Sequence, residues 1–294
     1  MSLDRWRIIA AGLLAAVLLA ACGTLPLRLG YSSGPRLMYW WVDGYVELTD
    51  AQSHAVRDAI GSWFRWHRST QLPQYGQMLA RVRARLPEPT DAQGICALWH
   101  QVREQGDAAL EHGMPSIAVL VRTLTPDQLA HIEKRFAKVN REFREEHLQP
   151  DPAKRQRMAH KRARERAEML YGPLEPAQRD LLTRALAASP FDPELWNTER
   201  LRRQADILQT LRALLAEPQM PAAKTRTVLG ALVQRLQTSP RDDYRAYQER
   251  LTAHNCRLVA ELHNSATPAQ REHARQRLLM WEEDLRELSG SAAG

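Results

Sequence analysis

Past its first two dozen residues the sequence has no second long apolar run. No helix of the body is therefore expected to span a bilayer, which takes roughly 20 apolar residues. Strand-like alternation bounded by hairpin turns is also missing, which excludes a sheet protein and leaves an all-α fold. Gly-x-Ser-x-Gly, Ser-x-x-Lys and His-Glu-x-x-His are all absent. The ten histidines are scattered. His54 with Asp58 and His100 with Glu104, each four apart, read as helix-surface pairs, and a metal site would need further ligands that no spacing supplies. No catalytic residue, metal ligand or cofactor-binding residue is assigned, and the chain is read as a non-enzyme. Cysteine is scarce too, with Cys22, Cys96 and Cys256 the three in 294 residues.

What is present begins at the N-terminus. MSLDRWR carries Arg5 and Arg7, and the fourteen uncharged residues IIAAGLLAAVLLAA follow and end at Cys22. A basic head, a short apolar segment and small residues before the cut are the pattern of a secretory signal peptide, expected over residues 1–21. Leu19-Ala20-Ala21-Cys22 resembles the lipobox of bacterial lipoproteins. That resemblance implies a covalent diacylglycerol on the Cys22 sulfur, the lipid being the only prosthetic group expected. Gly23, where an Asp would favour retention at the inner membrane, implies sorting to the outer membrane, with the body facing the periplasm. Several acyl chains at about 0.8 kcal/mol per buried methylene make a durable anchor where one chain would not.

The formal charge of +7 falls to +6 once Asp4, Arg5 and Arg7 leave with the signal. Such an excess suits phospholipid headgroups, lipopolysaccharide phosphates or cell-wall carboxylates. Nucleic acid is excluded by address. With Cys22 lipidated, Cys96 and Cys256 remain; in an oxidising compartment an even count reads as a disulfide, the alternative being two buried thiols. A bridge would close a loop of about 160 residues, for which chain entropy gives about 4 to 5 kcal/mol as an upper figure.

Residues 22–34 read as the lipidated N-terminus and a short tether, and 35–290 as a single helical domain. Leu129, Ile132, Phe136, Val139 and Phe143 fall at spacings of three and four, with Lys134, Arg135, Lys138 and Arg141 on the other face, an amphipathic helix with a bundle seam. Tyr244, Tyr247, Leu251, His254, Leu258 and Leu262 repeat the pattern, as do Ile95, Leu98, Trp99, Val102 and Leu110. Breakers divide such runs, among them Pro87 and Pro89, Gly113 and Pro115, Pro150 and Pro152, Gly172 and Pro173, Pro190 and Pro193, and Pro240. They predict an elongated bundle of roughly nine or ten helices.

The stretch Leu124-Thr-Pro-Asp-Gln-Leu129 has looser copies at 48–52, 174–178 and 266–270. Each reads as a helix start: Thr125 caps, Pro126 takes the first helical position, Gln128 reaches back to the cap amide, and Leu124 and Leu129 staple. Leu-Thr-x-x-Gln also resembles the signature of the periplasmic Spy and CpxP proteins, matched by Leu48, Thr49 and Gln52 and by Leu124, Thr125 and Gln128. Those are small helical proteins that form cradle-shaped dimers, and Spy is an ATP-independent chaperone. A wider stretch, YSSGPRLMYWWVDGYVELTDAQ with Trp63, Phe64, Trp66 and His67 after it, resembles the opening of a proteobacterial lipoprotein family known as a domain of unknown function. That likeness implies the address and the helical fold.

Two surfaces stand out. Tyr39, Trp40, Trp41, Tyr45, Trp63, Phe64 and Trp66 form either core packing or a groove for extended polypeptide or glycan, with Trp40, Trp41, Trp63 and Trp66 as its ligand-binding residues. The run from Lys154 to Arg166 places Arg155, Arg157, Lys161, Arg162 and Arg164 on a helix that is either simply solvated or docks on an anionic surface. The expected function is a non-enzymatic, outer-membrane-anchored binder of a periplasmic protein client or envelope polymer, in a chaperone-like manner. Its competitor is an adaptor docking on anionic lipid, lipopolysaccharide or an envelope partner through the basic helix. Neither reading sets an oligomeric state.

Overall fold

The computed structural model describes residues 27–148 and 151–290. The expected signal peptide, Cys22 and the start of the tether lie outside the described residues. Among those described the fold is all-α. Helix α1, Leu27–Ser32, leads into α2, Gly34–Val46. Helix α3, Asp50–Trp66, continues through a π-helical turn, His67–Gln71, into α4, Leu72–Arg85. Then come α5, Ala92–Val121, α6, Pro126–His147, and α7, Pro152–Tyr171. The described residues close with α8, Pro176–Ala187, α9, Pro193–Ala216, α10, Ala222–Gln237, α11, Asp242–Asn264, and α12, Pro268–Gly290.

Two sequence expectations change. The segment read as tether is helical from Leu27 on, and Leu27 and Tyr31 are buried with Leu285 and Leu288 in one core cluster. Gly113 and Pro115 do not break the chain: α5 runs through both. Pro115 is exposed, so water can serve the carbonyl that its missing N–H leaves free, and Gly113 lies beneath the Trp63 indole, where an added Cβ would sit 3.6 Å away.

The α3–α4 rod, 36 residues at 1.5 Å each, is roughly 54 Å long and sets the long dimension. Helix α5 returns antiparallel to it, beginning where Thr90 exchanges hydrogen bonds with Asn264 and ending where Thr123 accepts from Gln52. Helix α11 is bolted to α5 by the Cys96–Cys256 disulfide, Cα–Cα 5.5 Å, as the even cysteine count predicts. Helix α12 lies along α4, with Glu282 accepting from Arg83 at 2.6 and 3.0 Å. At one end Tyr45, Ile132, Phe136, Leu208, Leu211, Leu229 and Leu232 join α2, α6, α9 and α10 in one core. At the other end Leu86, Tyr171, Ala274, Leu278 and Trp281 join α4, α7 and α12.

Candidate interaction surfaces

The four Leu-Thr-x-x-Gln-like copies do more than start helices. Thr49 and Thr125 each accept from the amide three residues on, and the Gln at that position accepts from the cap amide, at 3.0 to 3.3 Å throughout. The two glutamines then turn towards each other: Gln52 Nε2 donates to Gln128 Oε1 at 3.2 Å and Gln128 Nε2 to Gln52 Oε1 at 2.6 Å. Each also donates to the carbonyl two residues ahead of the other's cap, Gln52 to Thr123 and Gln128 to Glu47. Glu47 takes a left-handed conformation, φ 57°, as it ends α2 beside this contact.

The second pair repeats the amide exchange and the carbonyl contacts, with Glu175 in place of one capping Thr. Gln178 and Gln270 exchange amide hydrogen bonds at 2.8 and 2.9 Å, while Gln178 donates to Ser265 O and Gln270 to Pro173 O. All four glutamines are buried. The copies are thus two clasps, one at each end of the α3–α4 rod, each of which satisfies buried helix-start amides and loop carbonyls at once. Of the side chains that carry the resemblance to Spy and CpxP, Gln52 and Gln128 are turned inward and buried, Leu48 and Leu124 are half-buried, and Thr49 and Thr125 are exposed.

Of the aromatic cluster Tyr45 and Phe64 are buried, while Tyr39, Trp41, Trp63 and Trp66 are half-buried. Trp63 packs beside Phe64 and stacks on His67, its Nε1 donating to Ala109 O at 2.9 Å. Trp66 stacks flat on His112 at 3.8 Å, and Trp41 packs on Tyr45 in the α2–α6 core. Trp40 alone among the four expected ligand-binding residues is well exposed, at 56%.

Beneath Trp63, at the π turn, lies a polar cluster that no sequence pattern signalled. His67 is fully buried between Tyr31 OH at Nδ1, 3.0 Å, and Tyr75 OH at Nε2, 3.2 Å. A neutral imidazole has one donor and one acceptor nitrogen, so one tyrosine accepts and the other donates. Burial lowers the His67 pKa from 6.5 to about 3 and lifts Tyr31 to about 12. The histidine must charge when the chain unfolds in mild acid. Its contribution is therefore complete above the unfolded-state value of about 6.5 and declines as pH falls towards 3. Urea midpoints at pH 7 and pH 5 should show a wild-type loss that is about 2 kcal/mol larger than that of His67→Gln. Equal losses in the two proteins would disprove the assignment.

The expected basic surface is helix α7. Lys154, Arg157, Lys161, Arg164 and Arg166 are exposed, while Arg155 and Arg162 are half-buried. The ion pairs along it are long: Arg157–Asp151 3.8 Å, Lys161–Glu165 3.9 Å and Arg164–Glu168 3.7 Å. Only its last two turns bury side chains, at Ala167 and Tyr171. Tyr171 OH meets His263 Nδ1 at 2.9 Å, and His263 Nε2 meets Glu88 O at 2.9 Å, so α7 is seated at its C-terminal end, and along the rest one face is half-buried and the other exposed.

Two clefts accompany these surfaces. One of about 330 Å³ between α4 and α5 is lined by Gln74, Gln77, Arg81, Gln101 and Glu104. The other, about 270 Å³, lies between α8 and α11, where His254 Nε2 is engaged with Ala185 O at 3.0 Å. Neither is lined by Ser, Thr or Cys. Among the described residues there is no group of three or more His, Cys, Asp or Glu that could hold a metal ion. No described helix is long and apolar enough to cross a membrane.

Residues 44–245 match the family of unknown function DUF6279. The chain belongs to this family. The match starts at the end of α2 and runs past both glutamines of the first clasp, Gln178 of the second, and helix α7. No curated protein and no solved structure matches the chain. Sequence reasoning also missed Glu199 on α9, fully buried and held by Arg202 at 2.9 Å and Arg203 at 3.1 Å. Its neighbours LRRQ read as an ordinary charged helix face, so no local signal marks its burial.

Proposed function

We propose that this member of the family is a non-enzymatic lipoprotein, anchored in the outer membrane through an acylated Cys22, whose helical body binds an anionic envelope partner in the periplasm through α7. The observation that carries the reading is the exposed cation row Lys154, Arg157, Lys161 and Arg164, the last three in ion pairs of 3.7 to 3.9 Å. Exposed pairs of that length contribute little, so the cations are available to phosphate or carboxylate groups. A chaperone-like version would need an apolar groove, and the engagement of the half-buried Trp41, Trp63 and Trp66 with Tyr45, His67 and His112 favours the electrostatic version.

The test uses the mature lipidated protein and lipopolysaccharide as the probe. Arg157→Glu, Lys161→Glu and Arg164→Glu together should weaken binding by at least about tenfold at low salt, and the difference should vanish near about 0.5 M salt. Binding that ignores both the charge reversal and the salt would reject the proposal. Because these three side chains are exposed, circular dichroism and the urea midpoint should hardly change.

A further inference from the structure

The first two helices carry an apolar stripe that faces away from the protein. Leu29 is 56% exposed, Leu37 52% and Trp40 56%. Helical hydrogen bonds run through the junction of α1 and α2, Ser33 N to Leu29 O at 3.2 Å and Leu37 N to Ser33 O at 3.0 Å. Spacings of eight and three residues therefore place the three side chains on one face. The opposite face is core: Leu27 and Tyr31 are buried with Leu285, and Met38, Val42 and Tyr45 pack inward. An ordinary solvated helix would put polar residues where Leu37 and Trp40 stand.

From this we infer that the Leu29–Leu37–Trp40 face rests on the bilayer that holds the lipid anchor, with Trp40 in the headgroup layer; the inference rests on the anchored reading of Cys22. The length of chain before α1 selects this occupant. Four residues, hence five Cα–Cα steps, separate Cys22 from Leu27, a reach of at most roughly 18 Å fully extended, so α1 starts near the membrane surface whatever path the chain takes. The chemistry of the stripe agrees. Tryptophan, with a large apolar body and one N–H, is the residue most at home at a membrane–water boundary. The Arg36 guanidinium lies 5.2 Å over the Trp40 ring, placing a cation where lipid phosphates would be. Arg28 is held by Asp284 and Glu287 and is not free for lipid phosphates, so the contact is chiefly apolar and, once the tether has placed the face on the leaflet, should persist at high salt without the Arg36 contribution. Three apolar side chains alone would hold a protein weakly, but the tether keeps their effective concentration at the surface high.

The consequence is orientational. The face pins α1 and α2 to the leaflet and, through Leu285 and Leu288, fixes the α12 end of the body there. The anchor then does more than prevent escape.

The experiment uses the mature lipidated full chain on vesicles of phosphatidylethanolamine and phosphatidylglycerol, with and without brominated acyl chains. Flotation is scored first, then tryptophan quenching, and the difference between wild type and Trp40→Phe isolates Trp40 from the other tryptophans. The expected result is flotation in both proteins, a bromolipid-quenched component lost in Trp40→Phe and in Leu29→Ser/Leu37→Ser, and no change in either at high salt. Flotation with Trp40 unquenched by bromolipid and open to iodide overturns the inference while the anchor stands. Trp40 shielded from both quenchers in a concentration-dependent way overturns it in favour of a second copy of the chain. Failure to float overturns the anchor and the inference together.

Discussion

Replacing both disulfide cysteines, Cys96→Ala with Cys256→Ala, will lower the unfolding free energy by about 4 kcal/mol, and reduction of the wild type will do the same. The bridge closes a loop of 160 residues, more than half the chain, so its loss releases a large share of the unfolded chain's freedom. The effect acts mainly through the unfolded state, and the denaturant slope should rise as that state expands, alongside the fall in midpoint. The native structure has a local stake as well. Cys256 is buried on α11, which leads directly to the second clasp, and hydrogen bonds of Asn264 with Thr90 and of His263 with Glu88 tie the end of α11 to the residues just before α5. Hydrogen exchange of the reduced protein should accelerate around Thr267 and Gln270 before it does around Thr125 and Gln128. A midpoint unchanged by dithiothreitol, with free thiols titrated, would show that the bridge carries no stability.

How much of this was legible follows from which interactions are local. The seam of α6 could be read directly, because Leu129, Ile132, Phe136, Val139 and Phe143 are all buried at the spacing that defined them. So could the capping boxes, whose partners lie three residues apart. The clasps could not: Gln52 and Gln128 are separated by 76 residues, and a capping glutamine reads the same whether its Nε2 meets water or another helix start. Tyr31, His67 and Tyr75 come together only because the π turn inserts at His67, a register change that no composition announces. Gly113 and Pro115 misled because breaker rules price the backbone alone, whereas Trp63 packs on the glycine and α5 is braced on both sides. The aromatic cluster was visible as a cluster, but the choice between core and groove depended on exposure, which for Trp40 and Trp41, adjacent in sequence, falls on opposite sides.

Gln52→Ala will cost about 3 kcal/mol, far more than a surface glutamine, and Gln128→Ala about the same. Gln52 Oε1 accepts from its own cap amide and from Gln128 Nε2, and its Nε2 donates to Thr123 O at 2.8 Å and to Gln128 Oε1. Truncation therefore strands groups on both sides of a buried contact, and stranded partners cost more than an average hydrogen bond is worth. Since each mutation already breaks the exchange between the two amides, the double variant should fall short of the sum by about 1 to 2 kcal/mol. An apolar swap offers no escape. Gln52→Leu with Gln128→Leu keeps the volume but leaves the Thr49 and Thr125 amides and the Glu47 and Thr123 carbonyls unserved, so it should be nearly as damaging as the alanine pair. The same cycle at Gln178 and Gln270 should give a coupling of similar size, because the amide exchange, the two cap-amide contacts and the two carbonyl contacts all have their counterparts there. Strict additivity at both ends, measured by urea unfolding, would mean that the glutamines act as four separate helix caps and that the clasps hold nothing together.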